Sequence, residues 1–186
     1  MTQLVYGMTV SLDGYISGPN GEIDWSAPDE ELHRFHNERT RAQSAVLMGR
    51  KLYQEMLVWE KTDVASWDTE YEREFASIWN DTPKVVFSTT LDRVDGNARL
   101  ARSDLADEVE ALKAEFDGDL SVGGAGLASS LTKLGLIDEY WLFVAPVVLG
   151  GGTPYFGVHG TPLDLELLET RPFGQGVIHL RYRRLR

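Results

Sequence analysis

Apolar positions along this chain gather into short runs separated by amphipathic stretches, in strand, helix, strand order over the first two-thirds. Leu4–Val10 and Ala45–Gly49 are apolar almost throughout, the pattern of strands buried on both faces. Lys84–Leu91 (KVVFSTTL) and the apolar start of Asp119–Leu131 (DLSVGGAGLASSL) read the same way. Helical spacing fills the gaps. Pro28–Arg41 places Leu32, Phe35 and Ala42 on one face, and Asp104–Phe116 turns Val109, Leu112 and Phe116 inward. Further helices are predicted from Arg50 to about Val58, over TEYEREFASIW to Asn80-Asp81, and over Leu127–Leu134 with a stop at Gly135.

The last third changes character. Ile137–Leu149 is rich in β-branched and aromatic residues, a strand with an irregularity at Pro146. Leu163–Glu169 and Val177–Arg184 alternate as strands joined through Thr170–Gly176, which puts His179, Arg181 and Arg183 on one face. The order predicts an α/β fold, a three-layer sandwich whose mostly parallel central sheet ends in an antiparallel C-terminal edge. Residues 1–186 form one domain, without repeat, low-complexity tract or linker.

Composition narrows the partners. Eighteen basic against 29 acidic residues leave a net charge of −11, which argues against nucleic acid and anionic membrane, so an anionic ligand needs a local basic cluster. The lack of cysteine removes disulfides, thiolate metal sites and cysteine nucleophiles. The start MTQLVYGMTV lacks the basic n-region and long apolar run of a signal peptide, so a cytoplasmic protein is expected.

The chain is organised around DLSVGGAGLASSL, where a strand runs through a double glycine into a helix. Such a turn gathers backbone N–H groups at a helix N-terminus and suits a phosphate. Gly124, Gly126 and Ser129 give G-x-G-x-x-S, short of the full dinucleotide fingerprint, and a tight connection needing small residues is the plainer alternative. Convergence strengthens the phosphate reading. In a parallel sheet the strand C-termini share one edge, so Asp13 with its glycine-rich loop, Gly49-Arg50-Lys51, Ser88-Thr89-Thr90 and Gly123–Gly126 line one groove. Hydroxyls beside an Arg-Lys pair suit a phosphomonoester such as the ribose 2′-phosphate of NADPH.

The succession SLDGYISGPNGEIDW, LMGRKLYQ, VVFSTTL, SVGGAGL and GLIDEYWLFVAPVVLGGGTPYF resembles the dihydrofolate-reductase-like superfamily. Within it, the chain is similar to the reductase domain of the bifunctional riboflavin-biosynthesis deaminase/reductase and its stand-alone relatives. The resemblance covers nearly the whole chain and implies a dihydrofolate-reductase-like fold. It implies that Gly49, Arg50, Lys51, Ser88 and Thr89 hold the 2′-phosphate end of NADPH, and that Gly123, Gly124, Ala125 and Gly126 cradle its pyrophosphate. Ser17 and Gly18 would cover the nicotinamide, and Asp13 would lie near the hydride-transfer site. Glu30 matches the helix carboxylate that binds the pterin in dihydrofolate reductases, whereas the helical wheel favours Glu31, and the register stays open. The family further implies a cis Gly123–Gly124 peptide and a homodimer.

Other candidates carry less. His33 and His36 lie i, i+3 on a helix without a third ligand, so no metal site is expected. His179 reads as an ordinary sheet residue, and core packing is the default for Trp25, Trp59, Trp67 and Trp79. The resulting expectation is an NADPH-dependent reductase passing hydride to a small heteroaromatic (pterin- or pyrimidine-like) or carbonyl acceptor, with a carboxylate or water supplying the proton. The alternatives are a nucleotide-binding module without turnover and a reductase using a flavin or deazaflavin in the same groove.

Overall fold

A computed structural model describes residues 2–158 and 160–185. Its eight-stranded sheet is built from β1 (Leu4–Ser11), β3 (Ala45–Gly49), β4 (Lys84–Phe87), β5 (Ala98–Leu100), β6 (Leu120–Gly123), β7 (Glu139–Ala145), β9 (Leu165–Pro172) and β10 (Ile178–Arg184). Strand order is β5-β4-β3-β6-β1-β7-β10-β9. Every pair from β5 through β7 is parallel; β10 then runs antiparallel to β7, and β9 antiparallel to β10. A two-stranded ribbon pairs β2 (Tyr15–Ser17) with β8 (Thr153–Pro154) beside the sheet.

The helices are α1 (Glu30–Ala42), α2 (Arg50–Met56), α3 (Val58–Lys61), α4 (Glu70–Asp81), α5 (Leu105–Glu115) and α6 (Ala125–Lys133). Both sheet faces are covered, which explains the continuous apolar strands. In β3, Ala45 and Leu47 pack with Val109 and Leu112 of α5 and Leu131 of α6, while Val46 and Met48 face the opposite way onto Tyr53 and Trp79. Farther along that second face, Leu32 and Phe35 of α1 close over Phe143, Phe173 and Val177.

Side-chain caps set the helix starts. Asp29 accepts the Leu32 backbone N–H at 2.9 Å, Asp104 accepts those of Ala106 and Asp107, and Thr69 and Glu72 form a reciprocal capping box. The tryptophan-rich stretch 61–83 buries Ala76 and Trp79 against the second face of the sheet. Trp67 stacks on Trp59 at 3.9 Å, Trp59 meets the edge of Phe75 at 4.7 Å, and the fully buried Lys84 ammonium donates to the carbonyls of Trp79 and Thr82 and lies 3.3 Å from Glu60.

Several expected boundaries shift. The strand from Lys84 ends at Phe87, and the strand through Pro146 ends at Ala145. Ala98–Leu100 and the β2–β8 ribbon lie where the pattern predicts only loop. Gly124 is the N-cap of α6 with φ +88°, and the Gly123–Gly124 peptide is trans, not the cis form implied by the resemblance.

Candidate functional site

The parallel register brings the C-terminal ends of β1, β3, β4 and β6 to one edge. The chain leaves β1 toward β3 and leaves β6 toward β7, in opposite directions from two adjacent strands, and a crevice opens at such a switch. A cleft of 530 Å³ lies there. Its floor is Gly49, Arg50 and Lys51 after β3 and Gly123–Gly126 after β6, and its wall is Met8, Thr9, Ile16, Ser17 and Thr153.

Two side pockets continue the cleft. One, of 490 Å³, shares Arg50 and Leu127 with it and is lined by Ser88, Thr89, Thr90 and Ser103. The other, of 170 Å³, shares Thr9 and Ser26 with it and runs between Trp25, Leu32, Pro146, Gln175 and Val177. The three spaces form one groove along the sheet edge, with hydroxyls and a cation at one end and an apolar-walled recess at the other.

Local structure explains the floor. A Cβ on Gly123 would stand 2.3 Å from Leu52, and the positive φ of Gly124 disfavours any side chain, so backbone alone faces the groove here. The first turn of α6 follows at once, with its N–H groups unused by the helix. Arg50 is exposed at the head of α2, and among the described residues no carboxylate pairs with it; Lys51 lies 3.8 Å from Glu55. Ser88 accepts the N–H groups of Thr90 and Leu91, which fixes its turn.

The ribbon closes the opposite wall. Ser17 donates from its hydroxyl to Thr153, and a Cβ on Gly152 would lie 1.9 Å from the Ser17 carbonyl, so only glycine allows this approach. Gly18 stands just behind Ser17, donating its N–H to the Glu22 carbonyl, and is not among the lining residues.

The three candidate carboxylates stand outside the groove. Asp13 is exposed and accepts from the Ser11 hydroxyl at 2.7 Å and from the N–H groups of Leu149 and Gly150 at 3.1 and 2.7 Å. These bonds, the Ser11 hydroxyl first, hold its pKa below the usual carboxylate value. Glu30 pairs with Arg34 at 2.9 Å on the exposed face of α1, and Glu31 reaches Arg171 at 3.4 Å. With Asp29 engaged as the N-cap, the first turn of α1 aims its acidic side chains elsewhere and presents Leu32 to the 170 Å³ pocket. Among the described residues, no ionisable side chain lines that pocket.

The histidines are structural in their surroundings. His33 meets Asn37 at 3.2 Å among Trp59, Tyr71 and Phe75, and burial pushes the pKa of His36 down to about 3 beside Phe143. Sequence reasoning did not single out Gln175 or Thr9. A signal for the first is present in Gly174-Gln175-Gly176, where one side chain is kept between two glycines.

A profile of the RibD C-terminal domain family matches residues 2–179. The chain is 33% identical over 183 residues to the uncharacterized protein YyaP of Bacillus subtilis (strain 168), covering 97% of this chain and 94% of that one. A Shewanella sp. PV-4 protein assigned to riboflavin biosynthesis superposes over 100% of both chains with TM-score 0.79 and 24% identity. Dihydrofolate reductase from Enterococcus faecalis, solved with NADP(H), superposes over 98% of this chain and 96% of its own with TM-score 0.67 and 15% identity. The sheet, its helices and the crevice at its switch point are therefore a dihydrofolate-reductase-like fold, and the chain belongs to the RibD C-terminal domain family.

Proposed function

We propose that the protein is an NADPH-dependent reductase that passes hydride to a small heteroaromatic or carbonyl acceptor. The observation that carries this reading is the convergence of three features in one groove. They are the glycine-rich turn Gly123–Gly126, Arg50, which has no carboxylate partner among the described residues, beside the Ser88–Thr90 hydroxyls, and the small recess at the far end.

The residues present fit the dinucleotide. Gly123–Gly126 and the first turn of α6 would hold the pyrophosphate, and Arg50, Lys51, Ser88 and Thr89 would hold the 2′-phosphate. Ser17, backed by Gly18, would cover the nicotinamide end. When bound, the reduced nicotinamide supplies the hydride. The chain orients the acceptor in the recess beside Thr9 and keeps the reacting face out of bulk water. The proton that balances the hydride would go to the acceptor's heteroatom. Among the described residues the recess carries no titratable side chain, so water would supply that proton. Asp13 acts at one remove, holding the 149–150 backbone beside the ribbon. We place this chemistry in the cytoplasm and expect the enzyme to work as a homodimer.

Melting shifts with NADPH, NADH and FMN test the cofactor, and NADPH oxidation with a panel of acceptors tests turnover. A larger shift with FMN than with NADPH would overturn the cofactor assignment. NADPH binding without consumption across pterins, pyrimidines and quinones would make the protein a binding module.

A further inference from the structure

The hydroxyl-and-cation end of the groove is built from two separate elements. Arg50 opens α2, whereas Ser88–Thr90 open the loop 88–97 between β4 and β5. That loop is sparsely held. It contains no helix or strand, Asp92, Arg93, Asp95 and Gly96 are exposed, and Leu91 and Val94 are its only side chains packed against the core. Behind it lies a hollow of 420 Å³, lined by Tyr53, Gln54 and Leu57 from the α2 side and by Thr90, Leu91 and Asp95 from the loop.

One bond crosses the gap. Tyr53, one turn of α2 beyond Arg50, is 4% exposed and packs with Val46, Met48, Trp79 and Val86, and its hydroxyl accepts the Asp95 backbone N–H at 2.7 Å. Among the described residues, no other hydrogen bond ties residues 89–96 to another element. Ser88 fixes the start of the loop through the N–H groups of Thr90 and Leu91, and the Lys84 N–H donates to the Asn97 carbonyl at its end. Both of those contacts are made within the loop or to its own strand. The Tyr53 bond alone sets the loop against the helix that carries Arg50. Phenylalanine would fill the same apolar site, so the hydroxyl serves the loop rather than the packing.

We infer that Tyr53 is the positioning residue of this end of the groove: its hydroxyl sets the spacing between the Arg50 guanidinium and the Ser88–Thr90 hydroxyls, and with it the discrimination for a ribose 2′-phosphate. A phosphate bridged by groups on two elements is held well when both are already in place, because ordering either one on binding subtracts from affinity. Tyr53 acts at one remove, since it lines the hollow behind the loop and neither the cleft nor the hydroxyl-lined pocket. The inference rests on the dinucleotide reading for the ligand, and on the bond between α2 and the loop for the mechanism.

The test is Tyr53→Phe, with NADPH, NADH, 2′-AMP and 5′-AMP titrated by calorimetry. NADPH and 2′-AMP should bind about fivefold more weakly, the scale of one hydrogen bond, while NADH and 5′-AMP keep their affinities. The Asp95 amide should exchange faster with solvent. The melting temperature should stay within about 4 °C of the unmodified protein, since water takes over the N–H of an exposed residue. A hydroxyl with a merely structural role would weaken all four ligands alike or none of them, and either result would overturn the inference whatever the change in stability. If the unmodified protein prefers neither NADPH over NADH nor 2′-AMP over 5′-AMP, the 2′-phosphate reading falls and the inference with it. A preference that survives undiminished in Tyr53→Phe removes the inference alone.

Discussion

His179 of β10 lies flat on Phe143 of β7, ring centroids 4.5 Å apart and planes inclined by 10°. Trp141 and Phe35 flank it at 5.2 and 5.6 Å, and neither imidazole nitrogen has a hydrogen-bond partner among the described residues. Burial, with Arg39, Arg181 and Arg171 nearby, pushes its pKa down to about 4 from 6.5. The folded state therefore keeps it neutral where the unfolded chain takes up a proton. Its contribution is complete above about pH 6.5 and is lost as pH falls toward about 4, roughly 2 kcal/mol by pH 5. His36, similarly depressed by burial, steepens the same window. His179→Phe should flatten that slope and add roughly 1 kcal/mol at pH 7 by deleting unpaired buried nitrogens. Urea midpoints at pH 7 and pH 5 measure both effects, and an unaltered slope in the variant would contradict the account.

Arg50 bridges the cleft and the hydroxyl-lined pocket and has no carboxylate partner among the described residues. Arg50→Ala should weaken NADPH by about 1–3 kcal/mol, the loss of one charge-assisted contact, and barely change NADH. Calorimetric titration of the two cofactors checks this. Equal affinities for them in the unmodified protein would remove the 2′-phosphate from the reading.

Gly124 combines positive φ with a place on the groove floor, so Gly124→Val strains the turn by about 1–3 kcal/mol and pushes a branched side chain toward the pyrophosphate seat. The variant should lose the NADPH melting shift as well as stability. A destabilised variant with a full melting shift would place the pyrophosphate elsewhere.

The parts of the fold legible in the sequence are those where burial on both faces leaves no choice of residue. AVLMG and LSVG read as interior strands and are strands, and the glycines that follow LSVG, read as a phosphate seat or a tight connection, turn the chain directly into α6. Ala98–Leu100 escapes this logic because Arg99 sits at its centre, paired with Glu108 at 2.6 Å, and the segment joins the sheet as an edge. The β2–β8 ribbon depends on Ser17 meeting Thr153, a contact 136 residues apart that no local pattern encodes. Helix periodicity gave the inward face of α1 but not what its first-turn carboxylates meet. Asp29, Glu30 and Glu31 are each taken up by the α1 backbone or by Arg34 and Arg171, and Arg171 comes from β9.

Asp13 fastens the turn after β1 to the 149–150 backbone, so its carboxylate shapes the groove wall without lining it. Asp13→Asn keeps an acceptor oxygen and should preserve NADPH binding while lowering turnover. It should also speed hydrogen exchange at the Leu149 and Gly150 amides, the direct readout of the clip. Loss of cofactor binding would mean that Asp13 stands at the phosphate end of the groove.

We expect a second copy of the chain to cover the β9 end of the sheet. Among the described residues β9 pairs with β10 alone and leaves its other edge open, and Leu167 and Ile178 are 53% and 43% exposed. Tyr182 lies across from Leu167, and Ile178 across from Val144, so these side chains share one sheet face as an apolar stripe. Exposed edges and stripes of this kind are normally covered, and a two-fold partner covers both copies at once. Sedimentation at high micromolar concentration should give twice the mass of one chain. Leu167→Glu combined with Ile178→Glu should give the single mass while leaving the NADPH melting shift in place, since neither residue lines the groove. A monomeric unmodified protein would refute the dimer. A double variant that loses cofactor binding along with dimerisation would instead show that the partner supports the groove from behind β7.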